Sequence, residues 1–148
     1  MKMEPDVDIF TDGACFGNPG PGGWAAILRH RETGAEKKIS GAEASTTNNR
    51  MEMMAVIRAL EQLKKPCRVR IVSDSQYVVK GLREWLDGWQ RRHWKSSSGS
   101  PVKNKDLWER LASLKATHAL EPVWIEGHAG HRENEECDRM AKAEIERL

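Results

Sequence analysis

Thr46-Thr47-Asn48-Asn49-Arg50-Met51-Glu52-Met53-Met54-Ala55-Val56-Ile57-Arg58-Ala59-Leu60, closed by Pro66 and followed by Val69-Arg70-Ile71-Val72, is the stretch on which the fold turns. Thr46, Thr47 and Asn48 offer helix caps, and Met53, Val56, Ile57 and Leu60 recur at helical spacing. The short apolar run after Pro66 reads as a strand. A strand that follows a helix that itself follows a strand marks a parallel crossover, because parallel neighbours need a long connection.

Upstream, residues 7–11 alternate apolar and polar and read as a strand stopped by Asp12-Gly13. Gly17-Asn18-Pro19-Gly20-Pro21-Gly22-Gly23 is a turn cluster, residues 24–28 a second strand, and residues 37–42 a third after a loop at Glu32-Thr33-Gly34. Short glycine-containing loops make these three an antiparallel meander. Downstream, Ser75 opens short helices carrying Tyr77, Val78, Leu82, Trp85 and Leu86, and residues 96–101 form a loop. A helix follows from Asn104 to about Lys115, then a last strand at Val123-Trp124-Ile125 and a last helix over 133–147. The reading is α/β: a five-stranded mixed sheet, three antiparallel strands then two parallel, flanked by helices. Residues 1–148 are expected to form one domain, with no internal repeat or linker.

At 148 residues, 39% hydrophobic and with six Trp, the chain has enough apolar surface to exclude a disordered tail. No apolar run approaches the ~20 residues a bilayer requires, so a helical membrane span is excluded. The polar opening Met1-Lys2-Met3-Glu4-Pro5-Asp6 shows no secretory pattern, and Cys15, Cys67 and Cys137 are odd in number. A reduced, cytoplasmic setting is expected. A net charge of +2 says little, but its distribution says more. Between Trp89 and Lys105 lie Arg91, Arg92, Lys95, Lys103 and Lys105 and no acid, whereas acids outnumber Lys and Arg from Glu126 onward. One pole suits a polyanion and the other a metal.

Four acids stand at the ends of elements. Asp12 follows the first strand beside Gly13, Glu52 lies early in the first long helix, Asp74 follows the 69–72 strand, and Asp138 lies on the last helix with Glu135 and Glu136. Each has an ordinary explanation: a turn-forming Asp-Gly, a helix-dipole partner, an N-cap, and a second dipole partner. Together they are harder to dismiss. Unpaired carboxylates that cluster repel one another unless cations bind. Oxygen-only ligands suit Mg²⁺ or Mn²⁺, and two such ions ~3.5–4 Å apart can clamp the attacking and leaving oxygens of a phosphodiester.

Other motifs are set aside. The glycine cluster leads into a strand and lacks the Lys-Ser/Thr of a phosphate loop. His128 and His131 find no further zinc ligand, and Cys15 and Cys137 read as small buried residues. The stretch holding Trp85, Trp89 and Trp94 among Arg83, Arg91, Arg92 and Lys95 has two readings. It is either a nucleic-acid groove or a helix pair with its indoles in the core and its cations in solvent.

Five motifs in order then carry a resemblance. They are Ile9-Phe10-Thr11-Asp12-Gly13, residues 17–23, Thr46-Thr47-Asn48-Asn49-Arg50-Met51-Glu52, Ser73-Asp74-Ser75-Gln76-Tyr77-Val78 and Gly127-His128-Ala129-Gly130-His131. Over about residues 6–147 they closely resemble the bacterial ribonuclease HI family of type 1 ribonucleases H. The resemblance implies a ribonuclease H-like fold and an endonuclease that hydrolyses the RNA strand of RNA/DNA hybrids without strong sequence preference. It implies two Mg²⁺ ions during catalysis, Mn²⁺ as a substitute, and 3′-hydroxyl and 5′-phosphate ends. Asp12, Glu52, Asp74 and Asp138 would be the metal ligands, with Asp12 bridging both ions. His128 would assist proton transfer or product release, and Glu135 would perturb one metal as product leaves. Cys15, Asn18, Thr47, Asn48, Asn49 and Gln76 would line the minor groove, where 2′-hydroxyls distinguish RNA from DNA. Trp85, Trp89, Arg91, Arg92, Trp94 and Lys95 look like the family's basic protrusion, about residues 85–103, which grips the DNA strand.

The chain departs from the family's pattern at Arg132, where many relatives have Pro, which implies a looser His128 loop. Ser96–Ser100 is a flexible-looking tip on the protrusion. The chain ends at Leu148, right after the last helix, without the polar tail some relatives carry. Without a separate N-terminal hybrid-binding domain, affinity is expected to come from this domain alone, acting as a monomer with no obligate protein partner and no membrane. Another nuclease or strand-transfer enzyme of the same broad fold could share the acids, but it need not carry both Asn48 with Gln76 and the Trp-basic stretch. A non-catalytic hybrid-binding module would have lost one or more of the four acids, and none is lost.

Overall fold

The structure, a computed structural model, describes residues 4–148, so residues 1–3 of the polar opening lie outside the described residues. Strands β1 (Val7–Cys15), β2 (Gly20–His30) and β3 (Glu36–Thr46) form the meander. Helix α1 (Asn48–Leu60) then crosses to β4 (Arg68–Ser73), which pairs parallel to β1. Helix α2 (Gln76–Lys80), a π-helical turn (Gly81–Trp85) and α3 (Leu86–Arg91) lead through the protrusion to α4 (Lys105–Thr117). Strand β5 (Ala119–Trp124) pairs parallel to β4, and α5 (Arg132–Glu146) closes the chain. The sheet order is β3-β2-β1-β4-β5, the predicted five-stranded mixed sheet.

Central β1 is buried on both faces. Ile9 and Ile71 pack beneath Val56, Ile57 and Leu60 of α1 and Trp108 and Leu111 of α4. On the opposite face Ala25 and Ile27 meet Cys137, Ala141 and Ile145 of α5. The helices thus sandwich the sheet, and the two apolar layers hold the strand ends in register.

Several boundaries differ from the sequence reading, each for a pairing reason. Strand β1 does not stop at Asp12 but runs on to Cys15, because Asp12 pairs with Ala25 and Cys15 with Gly22. That ladder, with the one to β3 in which Gly20 lies opposite Thr46, draws residues 20–23 out of the predicted turn and into β2, leaving Phe16–Pro19 as the hairpin loop, with a cis Asn18–Pro19 peptide. The last strand lies earlier than residues 123–125, because β4 offers partners from Arg68 to Ser73. Arg132 takes the first position of α5, where a Pro would fix φ in advance.

Candidate active site

The parallel ladder between β1 and β4 has its last pair at Phe10 and Val72. Beyond it the strands part, and Asp12 and Asp74 each stand two residues past that pair, where ligands gather in α/β sheets. Glu52 reaches the gap from α1. It does so because Gly13 has no side chain: a Cβ there would lie 2.5 Å from the Glu52 backbone nitrogen. The helix therefore lies directly on β1, and Glu52 is only 5% exposed.

The ordinary explanations for three of the acids do not hold. Asp12 is buried inside a strand and is not a turn residue. Glu52 lies beyond the first turn of α1, which carries no acid. Ser75, not Asp74, caps α2, its hydroxyl accepting from the Val78 N–H at 3.2 Å. Ligand oxygens of Asp12, Glu52 and Asp74 all lie within 4.8 Å of one another.

Asp138 is placed differently. Its carboxylate pairs with Lys142 at 3.0 Å, one helical turn on, and it stands outside that triad while still acting on Asp12 through its charge. The structure thus brings three of the four predicted ligands together and holds the fourth on α5 nearby.

The triad is electrostatically unsatisfied. Burial, then the charge of Asp74, pushes the Asp12 carboxyl up to about 8, although the Gly13 N–H donates to its Oδ1 at 2.9 Å. Glu52 is raised well above the usual carboxylate range by burial and then by Asp12 and Asp74. Glu52 Oε1 and Asp74 Oδ1 are buried acceptors with no hydrogen-bond donor. Two acceptors without donors beside like charges fit a divalent cation, and an all-oxygen set suits Mg²⁺ or Mn²⁺. Cys137, buried and pushed up to about 12, stays a thiol against the Phe10 carbonyl.

Around the triad, Asn18 Oδ1 accepts from the Asn48 N–H at 3.2 Å and ties the β1–β2 loop to the start of α1. Thr47 caps that helix through the Arg50 N–H, and Asn48, Asn49 and Gln76 are exposed. Cys15 is half-buried, its Sγ 3.4 Å from the carbonyls of Gly20 and Thr46. His128 is exposed with φ 58°, a left-handed conformation uncommon outside glycine, and Glu135 is exposed on α5.

The protrusion combines both of its readings. Trp85 and Trp89 are half-buried in a cluster with Tyr77 and Trp108, their ring centroids 5.3–6.0 Å apart. Trp94 packs against the core, while Arg91, Arg92 and Lys95 are exposed, with no carboxylate partner among the described residues. Sequence reasoning missed Arg50, which forks onto Asp106 at 2.9 and 2.7 Å and joins the start of α1 to the start of α4. It also missed Trp124, whose indole N–H donates to the Asp74 carbonyl at 3.0 Å. Neither contact has a local sequence pattern.

A mixed sheet with Asp12, Glu52 and Asp74 converging where its parallel strands part defines an α/β enzyme with an acidic centre that could hold a metal ion. The ribonuclease H family model matches residues 4–146. The chain is 56% identical over 140 residues to a ribonuclease H of Phenylobacterium zucineum, covering 95% of this chain and 90% of that one. It is 57% identical over 143 residues to one of Nitrosococcus oceani, covering 97% and 96%. Among solved structures, LC9-RNase H1 superposes with a TM-score of 0.85 at 32% identity over 99% of this chain and 74% of that one. LC11-RNase H1, solved in complex with an RNA/DNA hybrid, superposes with a TM-score of 0.74 at 25% identity over 95% and 97%. The chain belongs to the ribonuclease H family of endoribonucleases.

Proposed function

We propose that this protein hydrolyses the RNA strand of RNA/DNA hybrids as a monomeric, cytoplasmic, single-domain enzyme. The observation that carries the reading is the convergence of Asp12, Glu52 and Asp74 with two buried oxygens left without donors. These three, joined by Asp138 on release of Lys142, would hold two Mg²⁺ ions, or Mn²⁺ in their place. Such ions, when bound, supply an activated water and charge stabilisation at the scissile phosphate. Products end in 3′-hydroxyl and 5′-phosphate groups.

The chain's own side chains do the rest. His128, exposed on the loop before α5, delivers or relays the proton the leaving oxygen requires. Glu135 stands exposed on the same helix as Asp138, where it acts as product departs. The rim of Cys15, Asn18, Thr47, Asn48, Asn49 and Gln76 presents short polar groups to the minor groove and tests for 2′-hydroxyls. The protrusion adds charge for the DNA backbone, with Arg91, Arg92 and Lys95 outermost and Trp85, Trp89 and Trp94 as their packed base.

A gel assay tests the reading with labelled hybrid, duplex DNA, duplex RNA and single strands, with Mg²⁺ or with EDTA. Cleavage of the RNA in the hybrid alone, lost in EDTA, is expected; equal cutting of duplex RNA would defeat the claim of hybrid specificity. Replacing Arg91, Arg92 and Lys95 together by Ala is expected to raise KM about tenfold or more and to flatten its salt dependence, since up to three phosphate contacts go. A fall in kcat with KM unchanged would assign those residues to the chemistry instead.

A further inference from the structure

Asp74 is the most exposed member of the triad, and it sits on the last turn before α2 and not inside a regular element. A carboxylate so placed has freedom to swing, and a cation that demands fixed oxygen distances cannot tolerate that. The segment 124–127 removes the freedom from three directions. Trp124, the last residue of β5, lies opposite Ser73 and donates its indole N–H to the Asp74 carbonyl at 3.0 Å. The Ile125 N–H extends the ladder to the Ser73 carbonyl, also at 3.0 Å. Gly127 lies against the carboxylate itself, since a Cβ there would stand 2.6 Å from Asp74 Oδ2.

Trp124 is also odd in its own right. It is one of three large apolar side chains exposed among the described residues, 43% accessible at the edge of the sheet. Core burial does not account for an indole there, but its hydrogen bond does. The same segment runs directly into His128, so one stretch of backbone fixes Asp74 and starts the histidine loop.

We propose that Trp124 and Gly127 are positioning residues that hold the Asp74 backbone and carboxylate in ligating geometry. The inference rests on reading Asp12, Glu52 and Asp74 as the metal site. Outer partners of metal ligands typically govern affinity by 10–100-fold.

The test compares Trp124→Phe, which keeps an aromatic ring but loses the donor, with Gly127→Ala, whose backbone φ suits any residue but whose methyl displaces the carboxylate. Mn²⁺ binding is measured by calorimetry, alongside kcat, hybrid KM and the metal-free melting temperature. The expected result is about a tenfold loss of Mn²⁺ affinity in each variant and a comparable fall in kcat, with KM and metal-free melting unchanged. Unchanged Mn²⁺ affinity in both variants, while the parent binds the ion, overturns the positioning role alone. A loss confined to KM, or tracking a drop in metal-free melting, overturns it as well. A parent protein that binds no Mn²⁺ overturns the metal reading beneath it.

Discussion

Replacing Asp12 by Asn is expected to reduce hybrid cleavage by about 10³-fold or more while leaving hybrid binding intact or tighter. A loss of that size corresponds to about 4 kcal/mol of transition-state stabilisation. Asparagine keeps the shape of the side chain and can keep the acceptor for the Gly13 N–H, 2.9 Å away in the parent. What it loses is the charge, and a neutral amide oxygen is a poor anchor for a hard divalent ion. Binding moves the other way because a negative charge is removed from a surface that meets a polyanion. Single-turnover cleavage and equilibrium binding to the same labelled hybrid separate the two effects. Retained cleavage would remove Asp12 from the centre of the site, and lost binding would show that the variant's defect is not chemical.

Much of this site is legible in the chain itself, and the rest is hidden for physical reasons. Cap residues and a 3.6-residue apolar period announced α1, and the crossover to β4 followed. Strand ends were harder to place. Residues 20–23 have poor strand propensity and pair because β1 on one side and β3 on the other supply partners, a tertiary effect that composition does not carry. The triad depends in the same way on a contact between Gly13 and α1 that brings Glu52 inward. Each acid alone has an ordinary role, their shared position at the ends of elements points to a cation, and the resemblance to a family adds the assignment as ligands. Asp138 shows what the sequence reading did not single out, an ion pair with Lys142 one helical turn on, and it stands outside the triad. Trp124 left no trace, since its hydrogen bond spans 50 residues and ends on a backbone carbonyl.

The second large effect concerns stability in the absence of metal. Asp12 titrates near 3.8 when unfolded and is pushed up to about 8 in the folded protein, and Glu52 is raised in the same direction. Between those values the folded state keeps protons that the unfolded state has released. Stability therefore falls as pH rises across that window. The contribution is fully present below about pH 4 and gone above about pH 8, the opposite of a carboxylate held by a salt bridge. Each group costs at most about 1.4 kcal/mol per pH unit, so a loss of a few kcal/mol is expected between pH 5 and pH 8 in EDTA. Urea unfolding across that range measures it. Asp12→Asn should flatten much of the slope and be the more stable protein at pH 8 by a similar amount, because an amide cannot ionise. Saturating Mg²⁺ should flatten the slope in the parent, with protons released on binding, because the ion favours the ionised carboxylates that burial opposes. A metal-free parent whose stability does not change from pH 5 to pH 8 would mean that water already reaches the triad and that the three acids are not held against their charge.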